Sequence, residues 1–195
     1  MENEKQKEFI LNGNLWKVIF DLSWPAVIAM ILLGANNVLD GIFVGHFAEE
    51  GAFAGISVAL PPLITIIGLG ILIGSGAGTL SSIAIGAEDK NIQKKILGNV
   101  NFLTLIISVI VMTLGFLFSE QTLFLMGGRG DALIHGGKYY RTILWGTPIW
   151  IYAIALNNLI RSEGKMKTAA AIMGISLIVN GCANYTLMVI FNFGI

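Results

Sequence analysis

Five apolar stretches, each long enough to cross a bilayer as a helix, dominate this chain: roughly 15–40, 53–85, 96–118, 139–160 and 169–193. A spanning helix needs about 20 predominantly apolar residues. Inside hydrocarbon, backbone polar groups must also be bonded within the protein, which leaves packed helices or a closed barrel. Runs of this length select helices. Charge agrees, because only 12% of the 195 residues are Asp, Glu, Lys or Arg and 55% are hydrophobic. Soluble domains carry about 25% charged residues. Mean hydropathy is +0.77. The expected fold class is all-α, a polytopic helical membrane protein.

Short polar turns separate the spans. Gly86-Ala87-Glu88-Asp89-Lys90-Asn91, Gly127-Gly128-Arg129-Gly130-Asp131 and Ser162-Glu163-Gly164-Lys165 each combine charge with helix-stopping glycine. No extended polar linker divides the chain. Residues 1–14 read as a polar cytoplasmic segment, lacking the apolar core of a signal peptide, and 15–195 as one membrane unit. The second span carries Pro61-Pro62 near its start and is expected to be tilted or broken there.

Lys and Arg placement sets an expected orientation. Lys5, Lys7 and Lys17 flank the first span; Lys90, Lys94 and Lys95 follow the second; Arg161, Lys165 and Lys167 follow the fourth. Arg129, Lys138 and Arg141 lie in the third loop. A cytoplasmic N-terminus puts nine of the 12 basic residues inside, as the positive-inside rule favours. Twelve acidic residues balance them, so no basic surface suggests nucleic acid.

Several chemistries find no residues to carry them. There is no GxxxxGK phosphate loop, no His/Cys cluster with metal spacing and no Ser/His/Asp set. The single cysteine, Cys182, has no internal partner. An enzyme is not expected, and neither is a cofactor.

Polar residues inside the spans are therefore the candidate functional groups. Asp40 follows the uncharged run Trp24 to Ala35. A carboxylate at the centre of a spanning helix costs roughly 2.5–3.5 kcal/mol to insert, and less near an interface. Asn36, four residues earlier, falls on the same helical face. This notch either binds something or simply ends the first span at the membrane surface. Asn180 and Asn184 repeat the i, i+4 pattern in the fifth span, where cross-helix packing is the competing explanation. Asn157 and Asn158 close the fourth span and suit packing or lining equally. Pro25 sits inside the first span, and Pro148 inside the fourth, as fixed kinks or moving joints. Gly70, Gly74 and Gly78 recur every four residues and make a smooth face for helix packing.

The order of these features resembles the N-terminal half of a multidrug and toxic compound extrusion (MATE) transporter, from about Asn14 to Ile195. The residues that carry the resemblance are LSWPAVIAM and NNVLDGIFVGH in the first span and GAGTLSSIAIGAEDKNIQKKILGN leaving the second. NNLIRSEGKMKTA leaving the fourth and Asn180-x-x-x-Asn184-Tyr185 in the fifth complete the series. The resemblance implies a six-helix lobe, of which about five helices are present. It implies a secondary transporter that exports drugs or other small organic compounds against H+ or Na+. Asp40 would take the proton or sodium ion, with Asn180, Asn184 and Asn157 as partners and Pro25 as the bend that responds. Some members carry an acid where Asn184 stands, so the choice of ion stays open.

A carboxylate among amide oxygens suits a hard cation, and a change of charge inside a lobe can favour one packing over another. The family's second lobe is not recognisable in this sequence, so a missing C-terminal lobe or a second chain is an expected partner, beside the bilayer itself. The expected location is the cell membrane. Two other readings stand: a lipid-linked oligosaccharide flippase of the same superfamily, which would want several cationic residues in its spans, and an inactive membrane fragment.

Overall fold

The computed structural model describes residues 12–47 and 52–191. The expected polar segment therefore lies mostly outside the described residues, as do the last residues of the fifth span. Six α-helices follow one another: α1 Leu15–Phe47, α2 Ala52–Gly86, α3 Lys90–Leu117, α4 Ser119–Leu125, α5 Gly130–Ser162 and α6 Met166–Asn184. A π-helical turn, Tyr185–Ile190, continues α6. No strand occurs among the described residues. Among the described residues, five segments are long and apolar enough to cross a membrane: Leu15–His46, Phe53–Gly86, Lys90–Leu117, Gly130–Ser162 and Met166–Leu187.

Three boundaries differ from the expectation, each for a physical reason. α1 runs seven residues beyond Asp40, so the carboxylate lies within the helix and does not end it. α5 begins at Gly130, well before the expected 139. Asp131, His135, Lys138 and Arg141 lower hydropathy there without interrupting helical backbone. α2 is unbroken through Pro61 and Pro62, correcting the expected break. The prolines delete two N–H donors while the rest of a 35-residue helix keeps its ladder. The seven-residue α4 is too short to carry a periodic signal.

The turns are built as their residues dictate. Asp89 caps α3, its carboxylate accepting from the backbone N–H of Asn91 (2.9 Å) and Ile92 (3.1 Å). Gly164, at φ 80°, ends α5 in a conformation that an L side chain rarely adopts.

The core is the seam between α2 and α5, which run parallel. Gly55 meets Gly136 near one end and Gly78 meets Ser162 near the other. A methyl placed on Gly74 would lie 2.8 Å from Asn158 Cβ and 2.9 Å from the Ala155 backbone; one on Gly70 would lie 3.0 Å from Ile154 Cβ. Absent Cβ atoms are what allow this approach. Ala59, Ile66, Leu144, Ile151 and Ala155 fill the seam and are fully or almost fully buried. α3 packs against both helices through Ile96, Val100, Thr104 and Ser108. The buried hydroxyls are satisfied locally: Thr104 donates to Val100 O (2.8 Å) and Ser108 to Thr104 O (2.6 Å). Such back-bonding removes the cost of an unpaired group in an apolar interior.

α1 and α6 form a second unit. Leu32 packs beside Gly174, and Asp40 meets Asn184, so these two helices also run parallel. α1 makes its main contacts with α6, which in turn leans on α5.

Replacing Gly74 with leucine is expected to lower the thermal unfolding temperature of the purified chain in detergent. Overpacking typically costs about 1–3 kcal/mol. Gly76→Leu, where nothing lies within 4 Å, should leave it nearly unchanged. Equal effects at the two positions would mean that the seam is not the close contact described.

Candidate functional site

The two polar notches come together. On α1, Asn36 Nδ2 donates to Asp40 Oδ2 at 3.2 Å. On α6, Asn184 Nδ2 donates to Asn180 Oδ1 at 3.1 Å, and also to Asp40 Oδ1 at 2.8 Å. Helical periodicity explains each pair, because i and i+4 side chains share a face. The parallel packing of α1 and α6 explains the meeting, because it brings the two pairs to the same level. One amide thus bridges the helices, and both carboxylate oxygens of Asp40 accept an N–H. All four side chains are half-buried.

Tyr139 on α5 lies within electrostatic range of the Asp40 carboxylate, outside the hydrogen-bonded cluster. No sequence motif marks it, since it sits in a polar run, GGKYYRT, that resembles the end of a loop.

The other candidates lie elsewhere. Asn157 is not in the hydrogen-bonded cluster: its Nδ2 donates to Ala169 O at 3.4 Å. Ala169 is eleven residues before Asn180 on α6, roughly 16 Å along the axis. Asn157 therefore ties α5 to the first turn of α6, and Asn158 Nδ2 bonds Ile154 O (2.9 Å) beside Gly74. Pro25 is buried within α1, fifteen residues before Asp40, or about 22 Å along the helix. Gly70, Gly74 and Gly78 face α5 and not the cluster.

The donor set limits the chemistry. The cluster offers one carboxylate and three amides. Among the described residues, no group of three or more His, Cys, Asp and Glu side chains gathers as a metal site. With a single full negative charge, the cluster suits one monovalent cation. A sodium ion would be held by Asp40 oxygens and by amide oxygens, after rotation of the amides that now turn N–H toward the carboxylate. A proton would need the same rotation, to give the new O–H an acceptor.

Comparison with known proteins places the chain in a family. The family model MatE matches residues 25–186. The chain belongs to the MatE family. It is 28% identical over 191 residues to the multidrug export protein MepA of Staphylococcus saprophyticus, a match covering 98% of this chain and 42% of that protein. Its identity to MepA of Staphylococcus aureus is 26% over 181 residues, covering 91% of this chain and 40% of the relative. The chain thus spans about two fifths of the length of the curated relatives it matches, in keeping with an N-terminal half.

Solved structures agree. A MATE protein in the bent conformation superposes with a TM-score of 0.85 at 25% identity, over 100% of this chain and 42% of that one. An outward-facing multidrug resistance MATE family transporter of the MOP superfamily gives 0.83 at 26% identity, over 90% and 39%. A MOP superfamily transporter from Pyrococcus furiosus gives 0.81 at 28% identity, again over 90% and 39%.

A double-mutant cycle between Asp40→Ala and Asn184→Ala, read by thermal unfolding, is expected to give a coupling energy of about 1 kcal/mol, the usual scale for hydrogen bonds between membrane helices. Asp40→Ala paired with Asn157→Ala should be additive. Coupling between Asp40 and Asn157 equal to that with Asn184 would contradict the geometry.

Proposed function

We propose that this chain is the cation-responsive part of a secondary transporter that exports drugs or other organic compounds in exchange for H+ or Na+. The observation that carries the reading is the bridge from Asp40 on α1 to Asn184 on α6. A bound proton or sodium ion cancels the charge that the two amides now solvate. The reason for α1 and α6 to hold this contact then changes. Pro25, one helical segment below, breaks the backbone ladder of α1 and supplies the point about which its Asp40 end moves.

Exchange follows from linkage. If the cation prefers one packing of α1 against the bundle and the exported compound prefers the other, each displaces the other. The α2–α5 seam would be the fixed body against which this happens. Completing the transporter requires the second lobe or a second chain, and the compound would bind in an apolar chamber beside the cluster. The cell membrane is the proposed site of action, with the N-terminus cytoplasmic. Export is preferred over lipid-linked oligosaccharide flipping because, among the described residues, the spans carry few cationic side chains, and none lies between Arg141 and Arg161 of α5 or in the middle of the other long helices.

The test uses the chain within its native gene product in membrane vesicles. Asp40→Asn is expected to abolish efflux driven by an imposed H+ or Na+ gradient, with the protein still inserted. Asn184→Ala should weaken it, and Asn157→Ala should leave coupling close to normal. Efflux unaltered by Asp40→Asn would overturn the assignment, and no efflux in the parent would favour the inactive fragment.

A further inference from the structure

We propose that one end of this bundle is a binding surface for the headgroups of anionic phospholipids. α2 and α5 run parallel, so their last turns lie side by side, and Ser82 Oγ donates to Ser162 O at 3.1 Å between them. α3 begins directly beyond α2, fastened by Gln93 Nε2 donating to Ala84 O at 3.1 Å. α6 begins directly beyond α5. This topology gathers Lys90, Lys94, Lys95, Arg161, Lys165 and Lys167 at a single end. All six are exposed or half-buried. Because α1 and α6 are parallel, Lys17 lies at that end too.

The cations here are largely uncommitted. Lys165 pairs with Glu163 at 2.8 Å. Asp89 spends its carboxylate on capping α3. Lys90, Lys94, Lys95, Arg161 and Lys167 make no ion pair among the described residues. The opposite end differs. Arg129 lies 3.6 Å over the Phe124 ring and donates to Phe124 O and Gly128 O. Arg141 pairs with Glu120 and donates to Ser119 Oγ. Both arginines at that end are engaged with their own chain, whereas the lysines of the α2–α3 turn are exposed and make no ion pair among the described residues.

The ligand class follows from the cations taken together with the apolar flank beneath them. Ile83 and Ile85 at the end of α2, with Ile92 and Leu97 at the start of α3, are all at least 40% exposed. Cations above an exposed apolar flank match a phosphate headgroup with its acyl chains. A free phosphate or a soluble acidic partner would leave the flank unused. Basic clusters at a membrane face attract anionic lipid, with a strength that adds per residue.

Native mass spectrometry of the full chain, released from mixed micelles with equimolar phosphatidylglycerol and phosphatidylcholine, tests this. Retained phosphatidylglycerol should exceed phosphatidylcholine by roughly fivefold, the value of one additional cation–headgroup contact. The ratio should fall to about one in Lys90→Gln/Lys94→Gln/Lys95→Gln. It should persist in the corresponding triple Arg variant and in Lys138→Gln at the opposite end. If the Gln variant does not insert, salt decides, because the preference of the parent must collapse at high ionic strength. Equal retention of the two lipids in the parent would overturn the proposal. So would a preference that survives the triple Gln substitution or high salt. Displacement of the lipid by millimolar inorganic phosphate would overturn the lipid assignment in favour of a free anion.

Discussion

A single hydrogen bond between Asn184 on α6 and Asp40 on α1, at 2.8 Å, joins parts of the chain 144 residues apart. Its context gives it weight. Asp40 lies within a helix that is otherwise apolar, where a charge is costly unless something shares it. Asn36 and Asn184 share it from two helices, and Asn180 orients Asn184 from the turn below. Removing the charge alters the only full-charge contact among these four side chains, and it does so at the junction of the two packed units.

The rest of the fold sets up that junction. The α2–α5 seam is closed by Gly55, Gly70, Gly74, Gly78 and Gly136, where backbones approach too closely for a Cβ. Helices locked in this way have few alternative packings, since any sliding brings backbone against backbone. α1 has no comparable seam. It carries buried proline in its first third and leans chiefly on α6. On the proposed reading, a charge change at Asp40 acts on the long helix with the fewest close contacts among the described residues, with α2, α3 and α5 as the reference frame.

Much of this was legible in the sequence, and the limits have physical causes. The five spans follow from apolar run length, because the bilayer permits so few alternatives. The notches at Asn36/Asp40 and Asn180/Asn184 follow from i, i+4 spacing. That they share one level does not, since parallel register between α1 and α6 is a property of the assembled bundle. Tyr139 stands at the first position of the expected fourth span, and nothing in its neighbours marks it as facing Asp40. Asn157 shows the opposite limit. Its type and position fit a family pattern, yet it sits about three turns from the cluster and clamps α5 to α6. Pro61 and Pro62 read as a tilt or a break, and the long helix around them absorbs two missing donors without breaking.

The central claim is that the Asp40 carboxylate itself takes up the coupling cation. Infrared difference spectroscopy of the full chain in lipid bilayers addresses it directly, by switching the medium between acidic and neutral pH, and between sodium-free and sodium-containing buffer at neutral pH. The account predicts a carboxyl-group signal in at least one of these differences, accompanied by amide side-chain bands, and absent from Asp40→Asn. Difference spectra in which the carboxyl signal is the same with and without Asp40 would contradict it.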